Sequence, residues 1–136
     1  MEQPEWHDLG ALVAVTTIGS DEGGSRWTTE AVRLALTNGS VLIEAVPIDD
    51  TIRVSHPAAP RTDLIDPSLA ERDATGEAPW AEVIGRTVTW GRFMVNHHGY
   101  VDGYQMEFAT DAQAVGPCVE LVTVASRLVV GSAEFE

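Results

Sequence analysis

The sequence predicts an all-β, mainly antiparallel fold, and three observations carry that expectation. Apolar and polar residues alternate over short segments, as where Tyr104, Met106 and Phe108 interleave with Gly103, Gln105 and Glu107, which is the period of a strand with one buried face. The segments are punctuated by Gly, Asn, Asp and Ser. The pair Asn38-Gly39 stands out because both residues tolerate the positive φ that a type I′ hairpin turn requires. Helical signals, by contrast, are confined to short pieces.

In chain order, Pro4 to Leu9 forms a helical turn with Pro near its start and Gly10 as its stop. A strand from Ala11 to Ile18 follows, then a Gly- and Ser-rich connection from Gly19 to Arg26, then a strand from Thr28 to Leu36 with Val32, Leu34 and Leu36 on one face. The Asn-Gly turn sends Ser40 to Val46 back antiparallel, and Thr51 to Ser55 makes a short fourth strand after Pro47 and Asp49-Asp50. Residues 56–78 change character, with several prolines and acids, and read as a connector. Inside it, Asp66-Pro67-Ser68-Leu69 has the form of a helix start, predicting a short helix to about Asp73.

The opening pattern then returns. Pro79 leads to Gly85 as Pro4 led to Gly10, and strands are expected at Arg86 to Val95, Tyr104 to Ala109, Cys118 to Val124 and Arg127 to Val130. The expectation is therefore a single domain over 1–136, with two similar four-stranded meander halves, 4–55 and 79–131, joined by the connector. One-sided sheets must bury their apolar faces on one another, so the architecture is a sandwich, roll or barrel with short helical turns.

At 136 residues the chain is long enough to bury about two-thirds of the surface its unfolded form exposes. Its single cysteine excludes an internal disulfide framework, and its acidic start lacks the basic region of a signal peptide, so a cytoplasmic location is expected. Charge is the strongest compositional signal. Eight basic residues, all Arg, stand against 21 acidic ones, for a net charge of −13. Such a chain is repelled by phosphate backbones and anionic lipid, which argues against nucleic-acid and membrane partners. A basic protein is the natural counterpart, and self-association into a homodimer is compatible with the pattern.

The densest set of chemically able side chains is the turn holding Asn96, His97, His98, Tyr100 and Asp102. Imidazole and carboxylate are suited to metal binding or proton transfer. Adjacent histidines in extended backbone point opposite ways, however, and converge on one ion only if the turn bends. No further His lies at ligand spacing, so neither a metal nor a catalytic group is assigned, and no cofactor is expected. The turn is read as a partner-binding surface, together with the paired acids Asp49 and Asp50. Cys118, after Gly116-Pro117 and with no base nearby in sequence, is expected as a buried thiol. Trp6 and Trp80, each in a turn before a strand, are expected to staple that turn onto the sheet.

The run from Ile84 to Phe108 resembles a family of small bacterial proteins of unknown function in which an Ile-Gly strand, an Asn and Gly-Tyr-x-Asp turn and a closing Ser-x-Leu recur. The matching positions are Ile84, Gly85, Asn96, Gly99, Tyr100, Asp102, Ser126 and Leu128, all in the second half. The resemblance implies no activity. Size and acidity are similar to those of immunity proteins of bacterial toxin systems. The sequence thus favours a non-enzymatic acidic binding protein that neutralises a basic partner, as toxin-immunity proteins and antiphage-type inhibitors do. The alternative is a small-molecule-binding or hydrolytic β-barrel that uses the His97 to Asp102 turn.

Overall fold

A computed structural model describes residues 4–22, 26–46, 50–56, 69–109, 116–125 and 127–133. These form one antiparallel sheet curled into a half-barrel, with one short helix and one 3-10 turn. Helix α1 (Trp6–Leu9) is stopped at Gly10, which adopts φ +80°. The strands that follow are β1 (Leu12–Glu22), β2 (Arg26–Leu36), β3 (Gly39–Val46) and β4 (Thr51–Ser55). After β5 (Ala70–Asp73) and the 3-10 turn Trp80–Glu82 come β6 (Val88–Val95), β7 (Val101–Phe108), β8 (Cys118–Val124) and β9 (Arg127–Ala133).

Strand order across the sheet is β4-β3-β2-β9-β8-β7-β6. One edge of β2 carries β1 along its length. Its other edge is shared, since β3 takes Ala31 to Leu36 and β9 meets it only at Thr29, opposite Leu128. A second small junction joins the two starts, where Ala11 bridges Thr87 and Leu12 exchanges backbone hydrogen bonds with Gly85 and Arg86. Register shifts near Leu12 and Ile18 in β1, and at both ends of β6, add the local bend and twist that let a single sheet curl. The curl brings β4 against β7 and β8.

The segment Ala70–Asp73 corrects the expected helix. It is a strand, antiparallel to β1, with Thr17 opposite Arg72. A free edge on β1 satisfies the backbone of these residues better than an isolated helical turn, and a tertiary partner overrides a local capping signal. The Asp66-Pro67-Ser68 start of that expected helix lies outside the described residues.

The concave side holds the core. Val15, Val32, Leu34 and Ile43 from the first four strands meet Tyr104, Met106, Phe108 and Leu121 from the last four, and none of them has measurable exposure. Both pre-strand tryptophans close it, as the sequence leads one to expect: Trp6 is 5% and Trp80 2% exposed. Trp6 Nε1 donates to the Tyr104 hydroxyl at 2.9 Å, and Phe93 meets the Tyr104 ring edge-on with centroids 4.9 Å apart. Gly91 lies against that hydroxyl, where any side chain would collide with it. A smaller cluster, Ile18, Ala31 and Leu42 with Leu69 packed on it, lies on the other face of β1, β2 and β3. There too Glu44 is fully buried, with Arg53 opposite it in β4 and Arg53 Nε 4.0 Å from its carboxylate.

Candidate functional site

The β6–β7 turn is built around one side chain. The Asn96 carboxamide oxygen accepts from the backbone N–H groups of His98 (2.9 Å) and Tyr100 (3.1 Å), while the Asn96 backbone N–H donates to the Tyr100 carbonyl at 2.9 Å. Gly99 takes φ +85° to close the loop. Asn96 Nδ2 then reaches Asp102 Oδ2 at 3.3 Å. Asn is suited to such a turn because its short amide can mimic a backbone hydrogen bond. Asn96 and Asp102 therefore shape the turn, and His97, His98 and Tyr100 are left to face solvent.

The turn is bent enough to bring the two imidazoles together. Their ring centroids are 3.9 Å apart with a 44° tilt, so the histidines do not point opposite ways as they would in an extended strand. Among the described residues, no group of three or more His, Cys, Asp or Glu side chains is placed to hold a metal ion.

Tertiary structure adds a residue that the sequence gives no means to find. The Thr123 hydroxyl lies 2.8 Å from the Asp50 carbonyl and 3.3 Å from the Asp102 carbonyl, within donating reach of both. Two acidic residues from different halves of the chain, both among the expected site residues, thus have their backbone carbonyls brought together at the end of β8. Asp50 holds the left-handed φ of 55°, a conformation Asp tolerates better than most residues. Asp49 lies outside the described residues.

Antiparallel pairing of Gly103 with Val122 and of Val122 with Val129 sets the β6–β7 turn and the β8–β9 turn at the same end of the sheet. That end exposes large apolar side chains. Val95 is 62%, Tyr100 55%, Val124 54% and Val129 55% exposed. Asp102, Tyr100 and the three valines thus share one end of the sheet, a mix of acidic, aromatic and apolar side chains.

Cys118 lies elsewhere, at the far end of β8, and is buried as expected. Burial first, and then the neighbouring carboxylates Glu107 and Glu120, push its thiol pKa up, so it stays protonated and is a poor nucleophile. It lines a cleft of about 350 Å³ with Pro79, Glu82 and Val83.

The profile of a family of unknown function, DUF6334, matches residues 2–134. The chain belongs to that family. The match takes in the first half as well as the second, so the family likeness extends well beyond the Ile84 to Leu128 run that carries it in the sequence. Both the Asn96 to Asp102 turn and Asp50 fall inside the family's span. No curated protein and no solved structure matches the chain.

Proposed function

We propose that this member of the family is a non-enzymatic acidic binding protein, and that it docks on a basic protein partner through the end of the half-barrel formed by the β6–β7 turn, Asp50 and the β8–β9 turn. The observation that carries the proposal is that the Thr123 hydroxyl lies within reach of the backbone carbonyls of both Asp50 and Asp102, which brings these two acidic residues to one end of the sheet, the end that also exposes Val95, Tyr100 and Val124. The net charge of −13 supplies long-range attraction to a basic surface, which speeds encounter, and the apolar side chains supply contact once the two are aligned. A basic toxin or nuclease whose active site is covered in this way is the partner class that fits best.

The test is co-purification from the native host at low salt, with the wild type compared against Asp50→Asn, Asp102→Asn and Tyr100→Ala. A basic protein should bind the wild type, elute as salt is raised, and be lost from the variants. Screening shortens the reach of surface charge to about 8 Å at physiological ionic strength, so the association rate should fall steeply across that range. A partner that is acidic, or binding indifferent to salt, would overturn the proposal. So would stoichiometric metal in the purified protein that disappears in His97→Ala or His98→Ala, because that would make the turn a metal site.

A further inference from the structure

The open side of a strand invites pairing, and most open strands of this sheet are guarded against it. β5 is four residues long and exposes Glu71, Arg72 and Asp73; β4 is five residues long and carries Arg53; β6 carries Arg92 and has register shifts at both ends. Charge, shortness and bulges of this kind discourage the addition of a further strand. β9 differs. Among the described residues it meets β2 only at Leu128, so the run from Val129 to Ala133, Val-Val-Gly-Ser-Ala, has an open side with neither charge nor proline, in unbroken register with β8.

Register decides which backbone groups this side presents. Two residues connect Val124 to Arg127, and Ala125 has φ 51°, as in a tight hairpin whose closing pair shares its hydrogen bonds. Antiparallel pairs alternate, so Arg127, Val129, Gly131 and Ala133 bond to β8, whereas Leu128, Val130 and Ser132 turn their N–H and C=O groups the other way. Leu128 meets Thr29 in that direction. Val130 and Ser132 instead open onto two clefts that share Pro79 in their lining, of about 120 Å³ at Val130 and about 350 Å³ at Ser132. The larger is apolar at Pro79, Val83 and Val119, and Glu82 is the charged residue among the described ones that line it. Arg86 directs its guanidinium to the backbone carbonyls of Glu82 and Ala109, and among the described residues no ion pair engages the Glu82 carboxylate. We infer that the open side of β9 from Val130 to Ser132 is a strand-addition site, which takes an extended segment of a protein partner with small apolar side chains and a basic residue beside Glu82. The 3-10 turn Trp80–Glu82 supplies the wall opposite β9, which favours a single extended chain over the sheet of a second copy. The site lies toward the other end of β9 from the Arg127 turn and does not depend on the docking surface proposed above.

The probe is the end-capped peptide Lys-Val-Thr-Val-Lys, titrated into nitrogen-15-labelled protein and followed by NMR, with Glu-Val-Thr-Val-Glu as its control. The basic peptide should shift the amides of Val130 and Ser132, slow their exchange with solvent, and leave those of Tyr100 and Asp102 in place. N-methylation of its two valines and N-methylation of its threonine block opposite sides of an extended chain, so one form should keep binding and the other lose it. Ser132→Pro removes an N–H that β8 does not use and should weaken binding about tenfold. Glu82→Gln changes an exposed side chain and should weaken it about threefold. If Ser132→Pro fails to fold, the two N-methylated peptides put the same question to the wild type. No shift at Val130 and Ser132 at millimolar peptide, equal binding of the two N-methylated forms, or equal binding of the acidic control overturns the site. A wild type that dimerises in sedimentation while Ser132→Pro stays monomeric overturns it as well, by giving the open side of β9 to a second copy. Shifts confined to Tyr100 and Asp102 overturn it while leaving the β6–β7 surface standing.

Discussion

At the residue scale, Tyr104 is the side chain on which most depends. It is fully buried, accepts the Trp6 indole N–H, packs against Phe93 and occupies the space that Gly91 leaves open. Tyr104→Phe removes the acceptor but keeps the ring, stranding a buried donor. The expected cost is about 1–3 kcal/mol, read as a lower urea midpoint with an unchanged slope. The hydroxyl also titrates in a buried place, and burial pushes its pKa up from 10 to about 12, the Trp6 hydrogen bond opposing this only in part. The unfolded chain then gives up this proton at lower pH than the folded one. Stability is complete below about pH 10 and falls as pH rises toward 12, by roughly 2–3 kcal/mol in all for this group. In Tyr104→Phe that alkaline loss should shrink. An equal loss in both proteins would assign it to other groups.

At the element scale, the β6–β7 turn owes its shape to Asn96 more than to its histidines. Asn96→Ala deletes two acceptor contacts to backbone N–H groups and the link to Asp102. The loss expected is about 1 kcal/mol, as for other side-chain caps of a backbone turn, together with faster amide exchange at His98 and Tyr100. His97→Ala and His98→Ala, which remove only exposed rings, should leave stability within about 0.5 kcal/mol of wild type. The return strand is a different case, because β7 buries Tyr104, Met106 and Phe108 on one face. Phe108→Ala should cost roughly 3–5 kcal/mol in equilibrium denaturation, and an unchanged midpoint would show that the strand faces are reversed.

At the scale of the whole molecule, the thin seams matter. β2 meets β9 at one pair, and a second junction ties Ala11 to Thr87, so few backbone bonds hold β1 to β4 against β6 to β9. What holds them is the shared core, in which Val15, Val32 and Ile43 lie in one cluster with Met106, Phe108 and Leu121. Neither set of strands buries its concave face alone. Unfolding should therefore be a single cooperative transition, with far-ultraviolet circular dichroism and tryptophan fluorescence giving the same midpoint. Separate midpoints would mean that the two sets of strands are independent folding units.

The sequence by itself determined the class of fold, because a period of two, an Asn-Gly turn and Pro-to-Gly helical turns are local properties that the backbone must obey wherever the chain goes. β4 and β8 have the bounds expected, and Tyr104, Met106 and Phe108 face the core as their alternation requires. The turn after Asn96 was legible too, since Asn and Gly are residues suited to turns, although the return strand begins at Val101, three residues before the Tyr104 start expected from alternation. Only the tertiary structure decided how strands far apart in sequence meet. Ala70–Asp73 became a strand because β1 had an edge to offer, and no local signal reports a partner more than fifty residues away. Thr123 is an ordinary strand residue in sequence, and it matters because the curl of the sheet sets Asp50, 73 residues away, above its hydroxyl. A cleft between β2 and β9, lined by Trp27 and Val129, exists for the same reason, since two strands brought together by the closing sheet touch at the single pair Thr29 and Leu128.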